Sequence, residues 1–76
     1  MTEVDVEYCV PCGFRRRALD TAAAILNACE REIDSLTLTT GDHGVFRVTV
    51  DGRTVYDKEA DDMDVDGVAR AVREAV

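Results

Sequence analysis

The sequence predicts a two-layer α/β sandwich in which two helices cover one face of a four-stranded mixed sheet, in the order β-α-β-β-β-α. Each predicted strand alternates apolar and polar residues, a pattern typical of a sheet that is covered on one side only. Each predicted helix carries a single apolar stripe, so both helices should pack on the same face of the sheet. The length of 76 residues predicts a single domain, spanning residues 1–76.

The four strands are predicted at residues 3–8, 35–40, 45–50 and 53–57. A helix separates the first two strands, which should therefore run parallel through a right-handed crossover. Asp51-Gly52 is a strong signal for a two-residue hairpin between the last two strands. In such a hairpin Arg47 faces Tyr56, which places Tyr56 on the polar face of the sheet.

Two helices are predicted because apolar residues recur every three or four positions. In the first, at residues 14–33, the stripe consists of Phe14, Ala18, Ala22, Ile25, Cys29 and Ile33. The second runs from about residue 64 to the C-terminus, with Asp62 or Asp64 as its cap. Its stripe consists of Val65, Val68, Ala69, Val72 and Val76.

The stretch Cys9-Val10-Pro11-Cys12 lies between the first strand and the first helix. A helix N-terminus carries partial positive charge and free N–H groups, which favour a thiolate over a thiol. Two thiols at such a junction are typical of a thiol–disulfide centre. The total of three cysteines is odd, which fits an intracellular redox or metal site better than a secreted disulfide scaffold.

A metal site is the alternative for this pair. Cys9, Cys12, Cys29 and His43 together would make a Cys3His zinc set. However, Cys29 lies about four turns along the helix, on the order of 25 Å from its start. We therefore predict that Cys29 is a small buried apolar residue, and we expect no metal and no cofactor.

Arg15, Arg16 and Arg17 follow the cysteines at a helix end where the dipole disfavours cations. They form either a solvated turn or a positive field that lowers the thiol pKa and attracts acidic peptides or glutathione carboxylates. Consecutive helical residues fan out by about 100°, so at most two of them face the thiols. Arg15 and Arg16 are candidate binding residues. His43, in the loop before the third strand, is a candidate proton acceptor or a plain loop histidine.

The net charge of −7 argues against nucleic acid as a partner, because phosphates would be repelled. One of the nine basic residues is lysine, and an acidic, lysine-poor surface also resembles proteins from salt-loving organisms. No signal peptide or membrane-spanning segment is predicted, so the expected location is cytoplasmic, away from membranes. The polar sheet face is either solvated or binds a partner; it comprises Glu3, Asp5, Glu7, Arg47, Thr49, Thr54 and Tyr56.

The stretch from Val6 to Phe14, the helix after it and the Asp51-Gly52 hairpin resemble the Rdx family, which contains selenoprotein W and the related SelT and SelH proteins. The resemblance covers nearly the whole chain and implies a thioredoxin-like fold with a thiol-based redox role, linked to glutathione. Cys9 matches the family's first cysteine, and Cys12 matches the position of selenocysteine in selenoprotein W. Classical thioredoxins have a cis-proline where this chain has His43-Gly44.

The first functional hypothesis is a thiol–disulfide oxidoreductase acting on a protein thiol or disulfide or on glutathione, with Cys9 and Cys12 as catalytic residues. Thioredoxins attack with the first cysteine, whereas the selenocysteine match favours Cys12, so the attacking residue stays open. The alternatives are a non-enzymatic interaction module whose cysteine pair senses redox state and, more weakly, a metal-binding protein. The sequence does not indicate the oligomeric state.

Overall fold

The computed structural model describes residues 2–58 and 64–76. Its strands and helices are β1 (Glu3–Cys9), α1 (Arg15–Cys29), β2 (Ser35–Gly41), β3 (Phe46–Val50), β4 (Arg53–Asp57) and α2 (Val65–Ala75). A one-turn 3₁₀ helix, Glu30–Glu32, follows α1. This order confirms the predicted β-α-β-β-β-α arrangement.

The four strands form one mixed sheet in the order β2-β1-β3-β4. β1 and β2 are parallel, and β3 and β4 are antiparallel, as predicted. β3 also pairs antiparallel with β1, which the sequence did not indicate. The seven residues of β1 alternate so that Val4, Val6 and Tyr8 are buried, while Glu3 is exposed and Asp5 and Glu7 are partly exposed. β1 is one of the two inner strands of the sheet, and it ends at Cys9, the first residue of the cysteine pair.

The β3–β4 hairpin begins as predicted but has a β-bulge. Asp51 and Gly52 adopt left-handed φ angles of 52° and 82°, as a two-residue turn of this kind requires. Pairing then shifts by one residue between Val48 and Thr49, so that Val48 faces Tyr56. The prediction that Tyr56 lies on the polar face is therefore wrong. Its side chain is 1% exposed, and its hydroxyl has no hydrogen-bond partner in the described structure.

The first helix is shorter than predicted. It ends at Cys29, and the chain tightens into the 3₁₀ turn before Ile33 becomes extended, with φ −116° and ψ 146°. Ile33 still packs against the core from outside the helix. Because Ile33 lies four residues after Cys29, its spacing is the same as that of one more helical turn, and the helix was predicted to include it. Its side chain reaches the core from an extended segment instead.

Both helices pack on one face of the sheet and against each other. α2 is capped by Asp64, whose carboxylate accepts a hydrogen bond from the Gly67 N–H at 2.7 Å; the alternative cap, Asp62, lies outside the described residues. The core contains an aromatic row in which the ring centroids of Phe14 and Phe46, and of Phe46 and Tyr56, are 6.1 Å apart. Burial of one such side chain contributes roughly 1.5–3 kcal/mol, so this row fixes α1 and β4 against β3.

Candidate functional site

The candidate site lies where β1 ends and α1 begins. A tight turn makes the connection, with the Gly13 N–H donating to the Val10 carbonyl at 3.1 Å and the Phe14 N–H donating to the Cys9 carbonyl at 3.4 Å. Gly13 has a φ of 76°, a backbone conformation that a side chain would strain. The turn therefore brings Cys12 back beside Cys9 immediately before the helix starts.

Cys9 and Cys12 form a disulfide, with Cα atoms 5.4 Å apart. Their exposures differ sharply: Cys9 is 0% exposed, whereas Cys12 is exposed. The backbone of β1 is still paired on both sides at this residue: the Cys9 N–H donates to the Val45 carbonyl at 2.8 Å, and Cys9 lies in register with Gly41. The two sulfurs are thus joined, and of the two residues Cys12 is the one that is accessible to solvent.

The arginine cluster divides between two environments. Arg15 and Arg16, with Val10 and Gly13, line a groove of about 340 Å³ next to the cysteine turn. Arg16 also forms an exposed ion pair with Asp20, with Nε 3.4 Å from Oδ1. The guanidinium of Arg17 instead lies over the ring of Phe46, 5.3 Å from its centroid. Two of the three arginines therefore line a groove beside the cysteine turn; whether they act on the thiols stays a prediction.

His43 occupies an exposed loop position. Its φ is 59°, its side chain is 91% exposed, and its Nε2 lies 3.4 Å from the carboxylate of Asp42. The loop itself passes beside the cysteine pair, because the Val10 N–H donates to the Gly41 carbonyl at 3.1 Å. A role for His43 in proton transfer stays a prediction.

Cys29 is buried at the far end of α1, as predicted. It is 2% exposed, and its thiol donates to the Ile25 carbonyl oxygen at 3.4 Å. Burial raises the pKa of the Cys29 thiol, Glu32 raises it further, and Arg73 acts in the opposite direction. Within residues 2–58 and 64–76, no three His, Cys, Asp or Glu side chains come together in a way that could hold a metal ion.

Lys58 is a site residue that the sequence did not indicate. Its ammonium lies over the ring of Phe14, 5.1 Å from the centroid, and Phe14 is the second residue after Cys12. In the sequence Lys58 stands between Asp57 and an acidic run, so it looks like part of a solvated connection. Only the pairing of β4 with β3 reveals its position.

The open face of the sheet is polar, as predicted apart from Tyr56. Arg47 lies at its centre, with Nε 3.3 Å from Oδ2 of Asp57 and Nη1 3.7 Å from Oε1 of Glu7. The Thr39 hydroxyl donates to the Asp5 carboxylate at 2.8 Å on the same face. Partly exposed ion pairs of this kind contribute little to stability; binding of a partner at this face stays a prediction.

A thioredoxin-like fold with a C-x-x-C pair between its first strand and first helix defines a class of thiol-containing α/β proteins. The sequence matches the Rdx family over residues 3–74. The protein therefore belongs to the Rdx family, and the resemblance drawn from the sequence is confirmed. Membership of this family suggests a redox function for the cysteine pair.

Two solved structures resemble this chain over nearly their whole lengths. A protein from Bordetella parapertussis is 23% identical, with a TM-score of 0.89 over 99% of this chain and 98% of that chain. A selenoprotein W-related protein from Vibrio cholerae is 18% identical, with a TM-score of 0.85 over 97% and 95% of the respective chains. At these identities the likeness establishes the fold. Comparison with curated proteins gives no match.

In the part of the chain that the structure describes, no helix is long and apolar enough to cross a membrane.

Proposed function

We propose that this protein is a thiol–disulfide exchange protein in which Cys12 is the attacking thiol and Cys9 is the resolving thiol. The observation that supports this assignment is the unequal exposure of the pair, with Cys12 exposed and Cys9 0% exposed. A substrate disulfide must reach the attacking sulfur directly, so the exposed residue is the one that can attack. The partner is a protein disulfide or oxidised glutathione.

The reaction begins with the Cys12 thiolate of the reduced protein, which attacks one sulfur of a substrate disulfide, R–S–S–R′. A bond forms between the Cys12 sulfur and R–S, and R′–S⁻ leaves and takes a proton from solvent. Cys9 then loses its proton, attacks the Cys12 sulfur and releases R–S⁻, which is protonated in turn. Two electrons and two protons pass to the substrate, and an external thiol reductant returns them to the protein.

The surroundings of Cys12 favour the thiolate that this step needs. The first-turn N–H groups of α1 lack helical acceptors and carry partial positive charge, and no acidic residue stands in that turn to oppose them. Arg15 and Arg16 add full positive charges beside the turn. The same charges would attract the carboxylates of glutathione, which supports glutathione as a candidate partner.

Trapping the mixed disulfide tests the assignment. Reduced Cys9→Ser protein, mixed with oxidised glutathione, should keep one glutathione on the peptide containing Cys12, because no resolving thiol remains. The matched variant Cys12→Ser leaves only the enclosed Cys9 at the site and should form no adduct there. The wild-type protein should lose two hydrogens from the Cys9–Cys12 peptide. Mass spectrometry of the digested proteins measures all three.

Two results would contradict the proposal. An adduct on Cys9 in the Cys12→Ser protein would assign the attack to the other cysteine. No adduct and no loss of hydrogens in any of the proteins would remove thiol–disulfide exchange from the protein's activities. If the adducts form as expected, repeated turnover of a disulfide with an added thiol reductant separates an enzyme from a redox sensor that reacts only once.

A further inference from the structure

The β-bulge in β4 determines which charged residue lies behind the cysteine turn. In a regular hairpin around Asp51-Gly52, Asp57 would stand opposite Phe46, on the helix-covered face of the sheet. The shift in register places Asp57 opposite Arg47 instead. The next N–H, that of Lys58, donates to the Phe46 carbonyl oxygen at 3.0 Å. The bulge therefore places Lys58, in place of Asp57, next to Phe46 along the strand pair.

The side chains of Asp57 and Lys58 occupy the positions that this register sets. The carboxylate of Asp57 lies on the open face, 3.3 Å from Nε of Arg47. The ammonium of Lys58 lies 5.1 Å from the centroid of the Phe14 ring. Phe14 is the N-cap of α1 and the second residue after Cys12. Lys58, the single lysine of the chain, is thereby brought from the end of β4 to the start of the cysteine-bearing helix.

Lys58 completes a positive patch around the site. The rings of Phe14 and Phe46 are in contact, and each carries a cation, Lys58 over the first and Arg17 over the second. Arg15 and Arg16 line the groove on the cysteine turn. Four of the nine basic residues of a chain with a net charge of −7 are thus gathered at one end of the sheet. These four residues concentrate basic side chains at one end of an acidic protein.

We propose that Lys58 is a specificity-determining residue that makes the site prefer disulfides carrying a carboxylate close to their sulfur atoms. This inference rests on the proposed function, because it concerns the choice of substrate in thiol–disulfide exchange. The Lys58 ammonium lies over the ring of Phe14, the second residue after Cys12, and an exposed charge acts over a Debye length of about 10 Å at moderate salt. It attracts an approaching carboxylate and repels an approaching amine.

The test compares three small disulfides that differ in charge. Reduced wild-type, Lys58→Gln and Arg53→Gln proteins are mixed at low salt with the dianion 5,5′-dithiobis(2-nitrobenzoate), neutral 4,4′-dithiodipyridine or dicationic cystamine. Samples are quenched with acid at set times, and oxidation of the Cys9–Cys12 peptide is followed by mass spectrometry. Arg53 is a matched control, since it is an exposed cation at the opposite end of β4.

Loss of the Lys58 charge should slow the reaction with the dianion about two- to threefold, since a single charge acts weakly in a largely aqueous environment. The neutral disulfide should react at an unchanged rate, and the dication should react faster. Lys58→Arg should keep the wild-type preference, Arg53→Gln should match wild type, and high salt should remove the differences. Thermal unfolding of each variant verifies that the fold is intact.

The outcomes separate this inference from the function on which it rests. Equal slowing of all three disulfides would show that Lys58 acts on the thiol, and identical rates in all variants would show that it has no role. Either result overturns the inference and leaves the exchange function standing. If the wild-type protein reacts with none of the three disulfides, the proposed function fails and the inference fails with it.

Discussion

Cysteines lie in opposite environments at the two ends of α1, Cys12 in the turn before the helix and Cys29 as its last residue. At its start, Cys12 is exposed and joined to Cys9. At its end, Cys29 is buried, and its thiol donates to the carbonyl oxygen of Ile25. The residue type is the same, so the difference in chemistry comes from the position of each sulfur in the fold.

Helix electrostatics and solvation reinforce this difference. The N-terminal end of a helix stabilises an anion, whereas the C-terminal end presents carbonyl oxygens that favour a protonated, hydrogen-bond-donating thiol. Burial raises the pKa of Cys29, while Arg15 and Arg16 surround the turn at the other end with positive charge. We therefore expect the sulfur near the start of the helix to be reactive and the one at its end to be inert.

The largest expected effect is on disulfide exchange itself. Cys12→Ser should abolish it, because the remaining site cysteine is enclosed. Cys29→Ala should stay within about twofold of wild type, since distant sites with no shared partners act independently. The oxidation rate of each reduced protein by neutral 4,4′-dithiodipyridine measures both. A loss of exchange in Cys29→Ala would show that the two ends of the helix are coupled.

The second effect is on alkylation. In the reduced wild-type protein, iodoacetamide should modify Cys12 at least roughly a hundredfold faster than Cys29, because reaction at Cys29 requires local opening of the structure. Peptide mass spectrometry over a time course gives both rates from one sample, and urea-unfolded protein is the control in which the two should converge. Similar rates in the folded protein would contradict the burial of Cys29.

The third effect is on stability at alkaline pH. The pKa of Cys29 is raised from its ordinary value of 9.0, so the unfolded chain releases this proton before the folded protein does. The stabilising contribution is complete below the unfolded pKa and is lost as the pH rises through the folded pKa. Wild-type protein should therefore lose more stability than Cys29→Ala as the pH rises above 9.0.

Urea unfolding of the two oxidised proteins across this pH range measures that difference. With Cys9 and Cys12 in a disulfide, neither titrates, and the other groups cancel between variant and wild type. At neutral pH, Cys29→Ala should cost about 1 kcal/mol through loss of a small buried group. A difference between the proteins that stays constant with pH would show that the Cys29 pKa is not raised.

The smallest effects come from exposed charges at the two ends of the helix. Changing Arg15 and Arg16 to Gln should slow alkylation of Cys12 about two- to threefold at low salt, because nearby cations stabilise the thiolate. The same change should raise the free energy of unfolding of the oxidised protein by about 0.3–1 kcal/mol per charge, because cations are unfavourable at a helix N-terminus.

Arg31→Gln is the matched control, since Arg31 is exposed and lies just beyond the end of α1. Its loss should leave Cys12 reactivity unchanged and should slightly lower stability, the opposite sign to the N-terminal change. Added salt should shrink each difference. Equal effects of the two changes on alkylation would show that the arginines near the turn do not act on the cysteines.

Much of the fold follows from periodicity and local turn chemistry. Alternation along β1 identified the residues that face the helices, and Asp51-Gly52 identified the hairpin. The cysteine pair was identified because its two residues fall between a strand pattern and a helix pattern. These signals are local, so a single sequence contains them in full.

The remaining features depend on long-range contacts. Val55 and Tyr56 are both apolar enough to face the core, so alternation did not reveal which of them the bulge displaces. Cys9 follows Glu7 in alternation and would be assigned to the open face, but it is 0% exposed at the point where β1 turns toward α1. The position of Lys58 follows from the bulge and was missed for the same reason.

The central position of β1 also has a consequence during biosynthesis. β1 comes first among the strands, yet its neighbours in the sheet are β2 and β3, and Val4 pairs with Val50. Pairings so distant along the chain form late, after local turns and helices. Cys9 and Cys12, only three residues apart, therefore leave the ribosome together before the strands that enclose Cys9 exist. The most protected sulfur of the site is thus open to oxidation in the nascent chain and acquires its protection only when β3 arrives.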